Sequence, residues 1–277
     1  PDAGETFTYT FASGGADNAL FNISGNHLRS SAVFNFEAVS SYSIRIRTTD
    51  SHSNTFEKNF TIQVNNVVDA PTNISLSANS IAENQPLNTV IGTLNSTDPD
   101  AGETFTYTFA SGGADNALFN ISGNQLRSGA IFDFEAVSSY NIRIRTTDSQ
   151  SNFFEKDFAI TITNVFEKPT NITLSSASIA ENLPAGTTVG TLTATDPDMF
   201  ETFTFSLPAG TPDNAFFTIS GNELRTAAKF DYETLLPSHS YAINIRCTDN
   251  NSQFFEKAFT ISVTDVNEGI ANITGGG

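Results

Sequence analysis

The chain has 277 residues, of which 30 are aspartate or glutamate and only 13 are lysine or arginine, and its formal net charge is −17. So acidic a chain is a poor ligand for nucleic acid or for an anionic membrane surface, because both require a basic footprint on the protein. No apolar run approaches the ~18 residues of a membrane-spanning helix, so we expect no membrane insertion within this sequence.

The sequence repeats itself with a period of 98 residues, since residues 1–26 recur unchanged at 99–124. A third, more diverged copy follows, with an insertion near 232–246. A period of this length is enough for a domain with its own core. The predicted domains are 1–69 (a first repeat without its opening segment), 70–168 (a second repeat), 169–270 (a third repeat) and 271–277 (the start of a next repeat, or a tail). We expect the sequence to be a window on a longer array.

Apolar residues alternate with polar ones along every predicted element, and this period of two is typical of β-strands with one buried face. Repeat two shows the elements in chain order, and its predicted strands lie at 73–84, 89–98, 105–110, 117–128 (a hairpin that turns at Gly123-Asn124), 140–148 and 156–165. No segment has helical spacing over ten residues. About seven short strands in about 100 residues indicate an antiparallel β-sandwich. Cys247 shares a strand face with Ile243 and Ile245, and we expect a buried, inert thiol.

Carboxylates gather where predicted strands meet loops. Repeat two has them at Glu83, Asp98, Asp100, Asp133, Glu135, Asp148 and Glu167, and repeat three at Glu181, Asp196, Asp198, Asp231, Glu233, Asp249, Asp265 and Glu268. Carboxylates held together without a cation raise one another's pKa and resist ionisation. Ca²⁺ takes six to eight oxygen ligands in a flexible cage. The recurring sets therefore predict Ca²⁺ sites.

The Asp-Pro-Asp segment at 98–100 illustrates the reasoning. In an extended chain both aspartates point to one side and can hold one ion, while Pro99 stiffens the backbone between them. The alternative is that Asp, Asn and Pro are simply the residues that turns prefer. The same pattern in the diverged third repeat, at 196–198, favours the cation.

With these motifs in order, the chain resembles the cadherin repeat, in the variety found in large bacterial surface proteins. The motifs are "AEN" at 82–84 and 180–182, "DPD" at 98–100 and 196–198, "FNFE", "FDFE" and "FDYE" ending at Glu37, Glu135 and Glu233, "TTD" or "CTD" ending at Asp50, Asp148 and Asp249, and the linkers "NVVDAP" (66–71), "NVFEKP" (164–169) and "DVNEGI" (265–270). The resemblance implies an all-β fold of immunoglobulin-like, seven-stranded Greek-key sandwiches joined end to end, with Ca²⁺ at each junction.

The resemblance also assigns ligands to each junction. The first junction would use Glu37 and Asp69 with Asp98, Asp100 and Asp148, and the second would use Glu83, Asp133, Glu135 and Glu167 with Asp196, Asp198 and Asp249. Glu181, Asp231, Glu233, Asp265 and Glu268 would await a fourth repeat. The family pattern has aspartate where this chain has Asn35, Asn66 and Asn164, and asparagine where it has Val68 and Phe166. We therefore expect the first two junctions to bind fewer or weaker ions than the third.

The predicted function is a Ca²⁺-stiffened extracellular stalk or adhesin without catalysis. Its expected partners are its own neighbouring repeats and either other copies of itself or a cell-surface protein or glycan. An enzyme is disfavoured because the carboxylates recur at domain ends, and His27, His52 and His239 lie at unrelated repeat positions. Two alternatives stay open. One is a self-assembling filament or surface layer, and the other is a carbohydrate-binding module with aromatic pairs at 153–154 and 254–255.

Overall fold

A computed structural model describes residues 4–235 and 237–269. Within these ranges the regular structure consists of β-strands and three short 3₁₀ helices, Asn18–Leu20, Asn116–Leu118 and Pro212–Phe216. No helix in the described part of the chain is long and apolar enough to cross a membrane. The predicted segment 271–277 lies outside the described residues.

The strands follow the predicted repeats. Repeat one contains β1 (Thr8–Phe11), β2 (Phe21–Ser24), β3 (His27–Ser30), β4 (Ser41–Thr49) and β5 (Thr55–Gln63). Repeat two contains β6 (Asn73–Leu76), β7 (Ser80–Ala82), β8 (Val90–Thr97), β9 (Thr106–Phe109), β10 (Phe119–Ser122), β11 (Gln125–Ser128), β12 (Ser139–Thr147) and β13 (Phe153–Thr163). Repeat three contains β14 (Asn171–Leu174), β15 (Ser178–Ala180), β16 (Thr188–Thr195), β17 (Thr204–Ser206), β18 (Phe217–Ser220), β19 (Glu223–Thr226), β20 (Ser240–Thr248) and β21 (Phe254–Thr264).

Repeats two and three are each built from two four-stranded sheets. In repeat two the orders are β10-β11-β8-β6 and β7-β13-β12-β9, and in repeat three they are β14-β16-β19-β18 and β15-β21-β20-β17. Consecutive strands change sheet, and β15 pairs with β21 in parallel whereas its neighbours pair antiparallel. This is the predicted Greek-key sandwich of the immunoglobulin kind.

The first predicted strand of repeat two, 73–84, is divided in the structure. Its two pieces, β6 and β7, join opposite sheets, so the repeat has eight strand segments where seven strands were expected. The chain crosses between the sheets very close to β8, because a Cβ placed on Gly92 would lie 2.4 Å from the carbonyl oxygen of Ala78. Only glycine allows so close an approach of two backbones. Repeat three has the same crossing over Gly190, at 2.7 Å from the Ser176 carbonyl oxygen.

The core lies between the sheets and confirms the alternation read from the sequence. Ile142, Ile144, Ile160 and Ile162 of β12 and β13 are buried, as expected for one face of each strand. In repeat three, Cys247 is buried within the same layer and unpaired, which confirms the predicted inert thiol. Burial, followed by the charges of Asp249 and Asp196, raises the pKa of its thiol to about 11.

Two compact units make up the chain, and their boundary passes through repeat two. One unit holds the chain as far as Ile81, with Gln85–Ile131 and Ser139–Thr161, and the other holds Ala82–Asn84, Phe132–Ser138 and the chain from Ile162 onward. The predicted repeat bounds 1–69, 70–168 and 169–270 therefore stay predictions. Each acidic group described below lies inside one of the two units.

Candidate metal centres

The first acidic group joins the end of repeat one to the beginning of repeat two. Glu37, Asp69 and Asp100 each place one carboxylate oxygen within 4.8 Å of the others. Asp69 lies in the linker after β5, and Asp100 follows β8. The two are tied together, because Asp100 Oδ2 accepts a hydrogen bond from the Asp69 backbone N–H at 2.7 Å. Asn66, from the same linker, donates its amide to Asp100 Oδ1 at 3.1 Å.

The Asp-Pro-Asp segment beside this group bends, so the prediction of an extended chain is wrong. Asp98 Oδ1 accepts a hydrogen bond from the Asp100 backbone N–H at 3.0 Å. Asp198 N–H makes the same contact with Asp196 Oδ1 at 3.1 Å in repeat three. The bend satisfies one oxygen of the first aspartate within the turn, and the second aspartate turns toward the linker. Competition between turn formation and an extended chain was the alternative weighed from the sequence, and the turn determines the local geometry.

A second, richer set lies between repeats two and three. Glu83, Asp133 and Glu135 form one group with oxygens within 4.8 Å, and Glu135, Glu167 and Asp198 form another, so that Glu135 belongs to both. These groups border a cleft of about 300 Å³. Asp198 Oδ2 accepts the Glu167 backbone N–H at 2.7 Å, which repeats the contact between linker and Asp-Pro-Asp seen at the first junction.

Glu83 is the buried centre of this set, with 1% of its surface exposed. Its Oε2 accepts the Phe134 backbone N–H at 2.7 Å and its Oε1 accepts the Val165 backbone N–H at 2.8 Å. Glu83 thereby fixes both the loop that carries Asp133 and Glu135 and the start of the linker.

Repeat three ends with a third group, Glu181, Asp231 and Glu233, whose oxygens also lie within 4.8 Å of one another. Glu181 repeats the part of Glu83, since it accepts the backbone N–H groups of Tyr232 at 2.7 Å and Val266 at 2.9 Å. Asp265 and Glu268 lie near enough for their charges to raise the pKa of Glu233. Among the described residues, the predicted ligands that belong to no such close group are Asp98, Asp148, Asp196, Asp249, Asp265 and Glu268, and their role stays a prediction.

Buried oxygens without a hydrogen-bond donor mark the same places. In the described part of the chain they are Asp98 Oδ2, Asp148 Oδ2, Glu167 Oε2, Asp196 Oδ2, Asp198 Oδ1, Glu201 Oε2 and Asp249 Oδ2. A buried carboxylate oxygen that lacks a partner carries a large desolvation cost. A divalent cation supplies that partner, and hard oxygen donors are the ligands that Ca²⁺ prefers. The residues therefore fit a Ca²⁺ ion.

The electrostatics of the second junction point the same way. The pKa of Glu167 is raised to about 7, first by burial and then by the charges of Glu83, Asp198 and Glu135. Burial, with neighbouring carboxylates, also raises the pKa of Glu135, Asp98 and Asp196. Without a cation these groups resist ionisation, and a bound cation would reverse that preference.

Three acidic residues near these sites were missed from the sequence, namely Glu5, Glu103 and Glu201. They recur with the same period of 98 residues as the assigned ligands, and that recurrence was the available signal. Glu5 forms a group with Asp50 and His52, with oxygens and nitrogen within 4.8 Å, and His52 Nδ1 lies 2.9 Å from Glu5 Oε1. Glu103 and Glu201 lie beside the Asp-Pro-Asp segments of their repeats, close enough to Asp98 and Asp196 for their charges to interact.

The aromatic pairs considered for carbohydrate binding are only partly available. Phe153 and Phe254 are 52% and 49% exposed, which agrees with strand alternation. Their rings are covered by guanidinium groups, with Arg145 and Arg246 each 4.1 Å from the ring centroid. A ring that already stacks on arginine has one face fewer for a sugar.

Comparison with known proteins gives relatives of one kind. The cadherin domain family matches residues 78–163 and 175–264. Chimpanzee protocadherin gamma-A11 is 34% identical over 176 residues, which is 58% of this chain and 19% of that protein. Rat cadherin-23 is 30% identical over 254 residues, or 84% of this chain and 8% of that protein. The chain thus spans less than a fifth of these relatives, which are animal proteins, and the bacterial variety named above stays a prediction.

Solved structures agree on the fold. The EC22-24 segment of mouse cadherin-23 superposes with a TM-score of 0.62 at 19% identity, covering 96% of this chain and 89% of that one. Domains 3–6 of protocadherin gamma B2 give a TM-score of 0.63 at 19% identity over 94% of this chain and 66% of that one. Because the family match covers both complete repeats, the chain belongs to the cadherin domain family, whose domains are extracellular and non-enzymatic and bind Ca²⁺ between repeats.

Proposed function

We propose that this chain is the Ca²⁺-stiffened part of an extracellular adhesion protein, in which ions at the repeat junctions hold consecutive repeats in one orientation. The observation that carries the proposal is the meeting of carboxylates from consecutive repeats. Glu37 and Asp69 lie within 4.8 Å of Asp100, and Glu135 and Glu167 lie within 4.8 Å of Asp198. An ion that takes ligands from both sides of a linker binds only when the two sides are together.

The residues have distinct parts in this mechanism. The buried Glu83 positions the loop with Asp133 and Glu135 through its backbone contacts. Asp100 and Asp198 accept backbone N–H groups of the linker and so bring it against the following repeat before any ion binds. A bound Ca²⁺ would supply positive charge to the donor-free oxygens. The ligands would be those assigned above to each junction.

For partners, we propose other copies of the same protein. The charge of −17 disfavours nucleic acid and anionic membranes. The protocadherin gammaB7 structure among the relatives is a cis-dimer, which supports self-association. The filament alternative uses the same self-contact, whereas a glycan partner has the stacked arginines against it.

The test is to remove Ca²⁺ from the 277-residue chain with EGTA and to compare melting and small-angle scattering with a sample in Ca²⁺. Binding at 100 times Kd stabilises the folded state by about 2.7 kcal/mol per ion, so we expect a clear fall in Tm on chelation. The scattering should also show a wider spread of interdomain arrangements. A Glu155→Gln variant, altered at an exposed ion pair away from the junctions, should respond like the unaltered chain. Identical melting and scattering in both buffers would contradict the proposal.

A further inference from the structure

Donor-free carboxylates converge at the beginning of repeat three. Asp196, Asp198, Asp249 and Glu201 each have one buried oxygen that accepts no hydrogen bond. The charges of the three aspartates all act on Glu201. In the described chain this is the place where the largest number of such oxygens meets, and three of the four residues were assigned as ligands.

Asp249 shows that the convergence is built into the fold. Its side chain is nearly completely buried, with 6% of the residue exposed. Its Oδ1 accepts the backbone N–H groups of Asn251 and Gln253, both at 2.8 Å, which closes the loop between β20 and β21. Its Oδ2 accepts nothing. A carboxylate buried to this extent with one idle oxygen points to a missing positive partner.

Glu201 is divided in the same way. Its Oε1 accepts the side-chain amide of Asn251 at 2.9 Å, so the Asp249 loop fixes its direction. Its Oε2 is buried and has no partner. The linker side chain nearest in the sequence to Glu167 is Phe166, which offers no oxygen from its ring. Glu201 therefore supplies an oxygen that the linker lacks.

Repeat two has the same arrangement in a weaker form. Asp98 and Asp148 each have one buried donor-free oxygen, and the charge of Glu103 acts on Asp98. Glu103 Oε2, however, accepts the backbone N–H of Ser149 at 3.1 Å and its hydroxyl at 2.6 Å. One oxygen of Glu103 is thus already used.

The third copy also retains the glutamate where its surroundings have changed. Met199 and Phe200 replace Ala101 and Gly102 immediately before it. Phe200 even takes a left-handed backbone conformation, with φ of 64°, while 94% exposed. The loop has thus diverged in sequence and become strained, but the carboxylate keeps its place.

From these contacts we infer that Glu201 is an additional side-chain ligand of the cation held by Asp196, Asp198 and Asp249, and that Glu103 does the same more weakly in repeat two. The inference rests on the proposed function, since it deepens the ligand set of the junction that the function requires. It assigns to this chain a carboxylate that lies outside the cadherin motifs named above.

Glu201→Gln tests the inference, because glutamine keeps the shape and can still accept the Asn251 amide. We expect calorimetric titration with Ca²⁺ to show one class of sites weakened about tenfold, as expected when a site loses one ligand charge. In EGTA the variant should melt no lower than the unaltered chain, since a repelling charge has been removed. The matched control is Glu223→Gln, which alters an exposed ion pair with Arg225 in the same repeat and should leave the titration unchanged.

The outcomes separate the two proposals. If the unaltered chain binds Ca²⁺ and Glu201→Gln binds it equally well, Glu201 is no ligand and the junction proposal stands. If Glu201→Gln melts lower in EGTA but gains as much from Ca²⁺, the residue serves only as a hydrogen-bond acceptor for the loop, and the inference fails. If the unaltered chain itself binds no Ca²⁺, the proposed function fails and this inference fails with it.

Discussion

Leu28 and Leu126 occupy the same position of two nearly identical repeats, yet Leu28 is 38% exposed and Leu126 is fully buried at 0%. In repeat two, β11 pairs with β8, and Leu126 lies opposite Gly92. In the described part of repeat one, β3 pairs only with β2. The same local sequence is therefore buried in one repeat and half-exposed in the other, because strands from a separate segment provide the cover.

The metal groups differ for a related reason. Glu37 is exposed and belongs to one close group, whereas Glu135 is partly buried and belongs to two. Glu83, which anchors the loop of Glu135, comes from the segment just before β8, and the described part of repeat one has no such residue. Asn35 also stands where repeat two has Asp133. A junction is thus only as rich in ligands as the segments that converge on it.

The largest effect should come from truncating the two leucines. Leu126→Ala should lower the free energy of unfolding of repeat two by about 3 kcal/mol, the usual cost of a cavity in a closed core. Leu28→Ala should cost under about 1 kcal/mol, since water already reaches the side chain. Hydrogen exchange of β11 and β3, followed by mass spectrometry in Ca²⁺, measures both losses. Equal losses would mean that repeat one is as well covered as repeat two.

The next effect separates the junctions. Glu135→Gln should reduce the rise in Tm that Ca²⁺ produces much more than Glu37→Gln does, because Glu135 serves two groups. We expect about tenfold weaker binding for Glu135→Gln, or about 1.4 kcal/mol. Glu155→Gln serves as the off-junction control in the same calorimetric series. A larger loss from Glu37→Gln would reverse the ranking of the junctions.

The smallest effect is a pH dependence in EGTA. The pKa of Glu167 is raised from 4.5 to about 7 in the folded chain. The folded state therefore holds this proton more tightly than the unfolded state, and the associated stability is complete below pH 4.5 and lost as the pH rises through about 7. Tm in EGTA should fall across that interval, and Glu167→Gln should flatten the fall. Glu155→Gln should not, because Arg145 and Arg143 lower the pKa of Glu155. A slope that survives in Glu167→Gln would assign it to another group.

Much of the fold could be predicted from the sequence, because alternation of apolar residues and the 98-residue period are direct records of strands and domains. The predicted hairpin at 117–128 appears as β10 and β11, with Gly123 at a φ of 61° in its turn. The division of the first strand into β6 and β7 was not visible, since both pieces alternate in the same way. Its cause, the close crossing at Gly92, is a contact between distant segments.

The candidate sites were predictable to a different extent. Recurrence at a fixed period pointed to Glu135, Glu167 and Asp198, which the structure brings together. It could have pointed to Glu201 as well, but that glutamate lies inside a strand-like stretch and was assigned to none of the motifs. The bend of the Asp-Pro-Asp segment could not be read from composition, because turn and extended chain both suit these residues.

Cys247 has one more consequence. It is the chain's one cysteine, and it lies fully buried in repeat three with a thiol pKa raised to about 11. Thiol reagents attack the thiolate and need access to it, so they can modify this chain only when repeat three opens. The rate of modification thus reports the opening of a single bead in the string, and it gives a chemical clock for the strength of the domain beyond the second junction.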